Sequence, residues 1–252
     1  MDLGLKARVA LVTGAGSGIG RAVALELAGE GAHVIAVDID PTRAEATVKD
    51  IEEAGGSARR IACDASDEDQ VLACAHEAGA WRGPVTALCL AAGIGASGSI
   101  ENMDLATWRK VMSVNLDGNF LFLKHFIRPM VEAGGGSIVT IGSTGAILSR
   151  HADSAAVYGA SKAGLAQFTR HVAARYGGEG VRANCVHPGS TMTNFGESIL
   201  GGKAMGHQPI TAPIGRRADP VEIAGPVTFL LSERASFITG QAIAADGGLT
   251  AV

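Results

Sequence analysis

Short apolar runs alternate with longer amphipathic stretches from one end of the chain to the other. Runs at Arg8–Thr13, His33–Asp38, Ala58–Ala62, Thr86–Leu90, Ser137–Ile141, Val181–Val186 and Ala242–Ala245 read as strands. Between them, helical periodicity covers Ile19–Glu30, Thr42–Ala54, a stretch from Asp67, Leu105–Glu132, Ala155–Tyr176 and Pro220–Leu231. Regular alternation of strand and helix predicts an α/β fold, a doubly wound seven-stranded parallel sheet with right-handed crossovers and helices on both faces. Near-continuous apolar strands such as Val-Ala-Leu-Val and Ser-Ile-Val-Thr-Ile suit burial on both sides. With no linker, internal repeat or low-complexity segment, residues 1–252 read as one domain. The exception to the rhythm is Thr191–Asp219, which is Gly-rich and irregular. A loop of that length predicts a substrate lid.

Composition narrows the picture. Hydrophobic residues make up 47% of 252, and 35 glycines suit many tight strand–helix turns. No stretch is long and apolar enough to span a bilayer, and Met-Asp-Leu-Gly-Leu-Lys-Ala-Arg lacks a signal-peptide pattern. A net charge of −4 without a basic run argues against nucleic acid and anionic membranes as partners. Cys63, Cys74, Cys89 and Cys185 are scattered without ligand spacing, and the histidines form no His-x-x-x-His pair. The expectation is a cytoplasmic protein with reduced thiols, no catalytic metal and a small-molecule partner.

Candidate chemistry starts directly after the first strand, where Gly14, Gly16, Gly18 and Gly20 open a helix. Glycines let backbone N–H groups approach a pyrophosphate, and a helix N-terminus adds free donors and partial positive charge. Asp38 ends the second strand, about 20 residues on, where a carboxylate can bind both ribose hydroxyls of a dinucleotide. The same carboxylate repels a 2′-phosphate. No Lys or Arg occupies residues 15–19, and Arg43 is the only nearby cation, so the cofactor expected is NAD rather than NADP. Farther on, Tyr158 and Lys162 are four residues apart in a helical run, which puts them on one face. An ammonium beside a phenol is expected to favour phenolate and lower the tyrosine pKa from its usual ~10 toward neutrality.

Together the glycine loop, Asp38 and Tyr-x-x-x-Lys resemble the short-chain dehydrogenase/reductase family, and the resemblance covers essentially the whole chain. It implies a Rossmann-like fold with a cofactor cradle of Gly14, Ser17, Gly18, Ile19 and Gly20, and with Asp38 and Ile39 at the ribose. Asp64 and Ala65 are implied beside the adenine, Ala92 and Gly93 beside the adenosine, and Pro188, Gly189 and Thr191 beside the nicotinamide. Its implied catalytic set is Asn115, Ser143, Tyr158 and Lys162, the last two also touching cofactor. In that scheme Tyr158 moves the proton and Ser143 steadies the substrate oxygen. Lys162 tunes Tyr158 and holds the ribose, and Asn115 positions a water.

The chain departs from the family in two places. The family's Asn-Asn-Ala-Gly after the fourth strand is Leu90-Ala91-Ala92-Gly93 here, which predicts weaker bracing of the cleft or substitute donors. The segment between Ser143 and Tyr158 is longer, and Arg150, His151 and Asp153 within it are expected to line the substrate pocket. In the lid, Phe195, Ile199, Leu200, Met205 and Ile210 favour a hydrophobic ring or chain, with Gly201, Gly202 and Gly206 as hinges. Alternatively, His151, Asp153 and His207 suit a polyol. The implied activity is NAD-dependent interconversion of a secondary alcohol, cyclic or polyol, and its ketone. The alternatives are a 3-oxoacyl carrier-protein reductase and a non-catalytic dinucleotide-binding sensor. Enoyl reductases of the superfamily space their tyrosine and lysine more widely. The family also implies a homotetramer, built on the two long helices and the C-terminal strand.

Overall fold

The computed structural model describes residues 2–149, 156–195 and 212–252, and the backbone of 199–200. Arg150, His151, Asp153, Met205, His207, Ile210 and the glycines at 201, 202 and 206 lie outside the described residues, as do the side chains of Ile199 and Leu200.

Seven strands form one parallel sheet: β1 (Val9–Thr13), β2 (His33–Asp38), β3 (Ser57–Ala62), β4 (Val85–Leu90), β6 (Gly136–Ile141), β7 (Val181–Pro188) and β9 (Ala242–Ala245). Their order is β3-β2-β1-β4-β6-β7-β9. The helices are α1 (Gly18–Gly29), α2 (Pro41–Glu53), α3 (Glu68–Ala80), α4 (Leu105–Met112), α5 (Gly118–Glu132), α6 (Ala156–Tyr176) and α7 (Pro220–Leu231). Predicted and observed elements agree to within a residue or two almost throughout.

Alternation along β1 shows how the sheet is buried. Ala10 and Val12 join a core with Val23, Leu27, Val227 and Leu231, from α1 and α7. Val9 and Leu11 join a second core with Phe122, Phe126 and Val172, from α5 and α6. Side chains of successive strand residues point to opposite faces, so a strand apolar at every position requires helices on both sides. Each fully buried Leu or Phe side chain contributes about 1.5–3 kcal/mol.

Two features differ from expectation. The helix predicted over Leu105–Glu132 is interrupted by a π-helical turn at Ser113–Asp117, which separates α4 from α5. A two-residue strand β5 (Gly95–Ala96) pairs with β8 (Ile199–Leu200), which fastens the middle of the predicted lid to the segment after β4. Neither two-residue strand carries enough periodicity to be read from the sequence.

Strand order reverses beside β1: the chain runs outward through β2 and β3, then returns to the other side with β4. Loops leaving the C-terminal ends of β1 and β4 diverge there, and that opens a crevice.

Candidate active site

The crevice is a cleft of about 1820 Å³. Drug-sized pockets run to roughly 300–1,000 Å³, so this one has room for a dinucleotide and a second molecule. Every residue predicted to touch cofactor lines it, from Gly14 to Thr191, as do Ser143, Tyr158 and Lys162. Asn115 does not: it is fully buried behind the wall.

One wall is shaped by missing side chains. Gly14 has φ +65°, and a Cβ there would sit 3.0 Å from the Ala92 backbone. At Gly20 a Cβ would meet the Gly14 carbonyl oxygen at 2.2 Å. Glycine is therefore required for the loop to turn this tightly into α1. Ser17 caps α1 without a side-chain hydrogen bond, so the first-turn N–H groups keep their donor capacity. Asp38 stands across the loop. Its Oδ2 accepts the Gly16 N–H at 2.9 Å and its Oδ1 accepts the Asp40 N–H at 3.0 Å, which fixes the carboxylate at the cleft edge. Arg43 also lines the cleft and pairs with Asp40 at 3.3 Å. Farther along, Asp64 Oδ1 accepts from both the amide and the hydroxyl of Ser66. Burial alone raises its pKa, but these bonds and Lys110 outweigh that and hold it below the usual carboxylate value. A glycine cradle at a helix start with a fixed carboxylate opposite fits an adenosine dinucleotide. Gly14, Gly18, Ile19 and Gly20 would hold the pyrophosphate and Asp38 the ribose.

The other wall carries the acid–base groups. Ser143 lies two residues past β6, and its Oγ accepts the Gly145 N–H at 3.0 Å. The Tyr158 hydroxyl hydrogen-bonds the Ser143 side chain, and the Tyr158 ring packs against Phe195 at 5.5 Å between centroids. Lys162 Nζ donates to the Ile141 carbonyl at 2.7 Å and lies 5.8 Å from the centre of the Tyr158 ring. A Cβ on Gly93 would sit 3.3 Å from both Lys162 Nζ and Asn115 Oδ1, so a side chain there would crowd both.

This arrangement corrects the expected tyrosine shift. Burial pushes Tyr158 up to about 12, against a smaller lowering by the Ser143 hydrogen bond. Burial also pulls Lys162 down to about 8. Enclosing either group removes the water that solvates its charged form.

Asn115 is held on several sides. Its Oδ1 accepts the Ile94 N–H at 2.8 Å, and its Nδ2 donates to the Ile94 carbonyl at 2.9 Å and to Ser161 Oγ at 3.0 Å. Its backbone carbonyl accepts from Asn119 Nδ2 at 2.8 Å. The side chain is therefore a brace between the segment after β4 and α6. The bracing expected to weaken at Leu90-Ala91 is supplied from β1, where Thr13 Oγ1 accepts the N–H groups of Ala91 and Ala92 at 3.0 and 3.1 Å.

Sequence reasoning passed over Thr13, Ser161 and His187. Thr13, a hydroxyl ending an otherwise apolar strand, was a visible signal. Ser161 carried none apart from its place inside the Tyr-x-x-x-Lys span. Arg216 and Arg217 also line the cleft, and Arg216 is paired with Glu222. Of the predicted lid, Thr193 approaches the start of α1: a Cβ on Gly18 would lie 3.2 Å from its Cγ2.

Known proteins share this architecture. A family model described as enoyl-(acyl carrier protein) reductase matches residues 14–250. The 2-(S)-hydroxypropyl-CoM dehydrogenase 3 of Xanthobacter autotrophicus is 37% identical, over 98% of both chains. The cis-4-hydroxycyclohexanecarboxylate dehydrogenase of Sinomonas cyclohexanicum is 40% identical, over 97% of both. A solved structure from Beutenbergia cavernae, with NADP bound at low occupancy, is 34% identical with a TM-score of 0.86 and full coverage of both chains. With the match spanning cradle, Ser143, Tyr158 and Lys162 alike, the chain belongs to the short-chain dehydrogenase/reductase family.

Proposed function

We propose that the chain is an NAD-dependent oxidoreductase interconverting a secondary alcohol and its ketone. The observation that carries this reading is the Tyr158 hydroxyl hydrogen-bonded to Ser143, with Lys162 behind the ring, in the cleft that also holds the cradle. The nicotinamide, when bound, takes up or gives back the hydride at the alcohol carbon. In the reducing direction the neutral Tyr158 Oη donates its proton to the carbonyl oxygen, and the Ser143 hydroxyl hydrogen-bonds that oxygen as charge develops. In the oxidising direction Oη receives the hydroxyl proton. Lys162 stays close enough for its charge to stabilise the phenolate in that direction. Phe195, against the Tyr158 ring, excludes water from the reacting oxygen.

The Xanthobacter and Sinomonas relatives are named for a secondary alcohol on a short chain and on a six-membered ring. Apolar cleft residues such as Ile94, Leu148 and Phe195 suit either. Asp38 at the ribose position supports NAD over NADP. Arg43 beside it, and the NADP in the Beutenbergia structure, make the comparison of the two cofactors necessary.

A panel of cyclic and acyclic secondary alcohols, read at the reduced-nicotinamide band with NAD and NADP in parallel, tests the proposal. Tyr158→Phe is expected to bind cofactor normally and lose at least about 10³-fold in kcat. Substantial turnover by that variant would refute the assignment. We further propose a homotetramer, because Phe120, packed at 6.4 Å against Phe168, is half exposed on α5 and Phe237 is fully exposed near β9. A monomer by light scattering at micromolar concentration would exclude it.

A further inference from the structure

His187 sits at the end of β7, paired in register with Ala244 of β9, and is almost fully buried. Its Nδ1 accepts the backbone N–H of Ser143 at 3.0 Å. A second observation shows that the backbone is built around this contact. A Cβ on the preceding residue, Gly142, would lie 2.4 Å from the same Nδ1, so only glycine admits the imidazole here. The Gly142 N–H is itself fixed to the Val186 carbonyl at 2.7 Å. The end of β6 is thus held to β7 by one ordinary strand hydrogen bond and then by one side-chain nitrogen, immediately before the residue whose hydroxyl meets Tyr158.

We infer that His187 is a positioning residue: its unprotonated Nδ1 anchors the Ser143 amide and so sets where the Ser143 hydroxyl stands relative to Tyr158. This rests on the function proposed above. A ring that accepts at Nδ1 carries its proton on Nε2. Protonating Nδ1 would set two donors against each other and release the end of β6. Burial lowers the His187 pKa most, a backbone interaction with Ser143 raises it less, and the Lys162 ammonium on α6 lowers it further. Cys185 is the other titratable side chain nearby in β7, and β6, β9 and the Thr144–Ala146 turn contribute none. The neutral, accepting form is therefore the resting one, and its loss belongs on the acid side of the ordinary histidine value.

Ketone reduction isolates this effect. Tyr158 is already a phenol and Lys162 already charged at acid pH, so neither limits the rate there. With the holoenzyme and a ketone it turns over, wild-type kcat is expected to fall severalfold as pH drops well below the ordinary histidine value. His187→Phe, which has no acceptor, is expected to lose about 10–100-fold in kcat at neutral pH with cofactor KM little changed. His187→Asn, whose amide oxygen accepts but does not titrate, should recover kcat to within about fivefold and lack the acid fall. An Asn variant with the wild-type acid limb, or a soluble Phe variant with wild-type kcat, overturns the inference. Nitrogen-15 NMR of the histidine rings gives a readout independent of turnover. A protonated Nδ1 on His187 at neutral pH overturns the anchor even if no substrate is found. The Nε2–H tautomer supports it, and absence of turnover then counts against the enzymatic reading alone.

Discussion

Enclosure shifts both Tyr158 and Lys162 toward their neutral forms, the phenol up to about 12 and the amine down to about 8. Four-residue spacing tells which side chains share a helix face, but not how much water each loses, and it is the water that sets these values. Asp38 is the opposite case. It is partly exposed, and two loop amides are aimed at its oxygens. Its carboxylate is the group proposed to discriminate between dinucleotides with and without a 2′-phosphate. Asp38→Ala is expected to lower kcat/KM for NAD by about 10–100-fold, the worth of one or two charge-assisted hydrogen bonds. It should raise the NADP:NAD ratio, because the repulsion disappears while Arg43 remains on the cleft wall. Steady-state kinetics with both cofactors check this. An unchanged ratio would mean that Asp38 acts only as the brace of the glycine loop.

At the level of elements, the long strands and helices were readable because each has a period. The strands at His33–Asp38 and Ala242–Ala245 and the helix at Pro220–Leu231 have the bounds expected of them. Pro220 follows a capping aspartate, and the Asp219–Glu222 capping box marks that helix start chemically. The π turn was invisible for an equally physical reason. Apolar spacing through Leu105–Glu132 is compatible with one uninterrupted helix, and the extra residue in the turn is selected by contacts distant in sequence. Asn115 reaches the Ile94 backbone, and Gly118 passes so near the Ala65 carbonyl that a Cβ would lie 2.8 Å from it. One turn thereby ties the segment after β4, the adenine corner and α6 together. The site itself was legible residue by residue, since glycines, Asp38, Ser143, Tyr158 and Lys162 announce themselves by type and position. What each side chain holds was not. Asn115 spends its amide on Ile94 and Ser161, and Thr13, a hydroxyl visible at the end of its strand, braces Ala91 and Ala92; a linear pattern displays neither set of partners.

Across the whole molecule, chemistry and anchorage occupy opposite ends of the strands. The cleft lies at the C-terminal ends, where loops diverge. At the N-terminal end of β7, Arg182 donates to the carbonyls of Leu230 at 2.9 Å, Ser232 at 2.9 Å and Ile238 at 3.2 Å. Arg8, just before β1, donates to the Leu231 carbonyl at 3.2 Å and to Thr86 beside it. Two guanidiniums thus cap the C-terminus of α7, whose last carbonyls have no helical partner and whose dipole is negative there. Burial lowers the pKa of Arg182, and the neighbouring Arg8 lowers it further, so this end of the sheet carries a cost that the carbonyl bonds must exceed. Arg182→Met tests whether they do. Ile238 keeps the Asn184 amide as a donor and Ser232 keeps the Ala235 N–H, but Leu230 loses its guanidinium donor. The expected loss is about 2–4 kcal/mol, a drop in Tm on the order of 4–12 °C for a chain of this size. Since no residue of the cleft depends on that end of β7, kcat at a permissive temperature should stay within about twofold of wild type. A stable variant would show that relief of the Arg8–Arg182 repulsion offsets the missing bonds, whereas a stable but inactive one would contradict the separation of anchor and site.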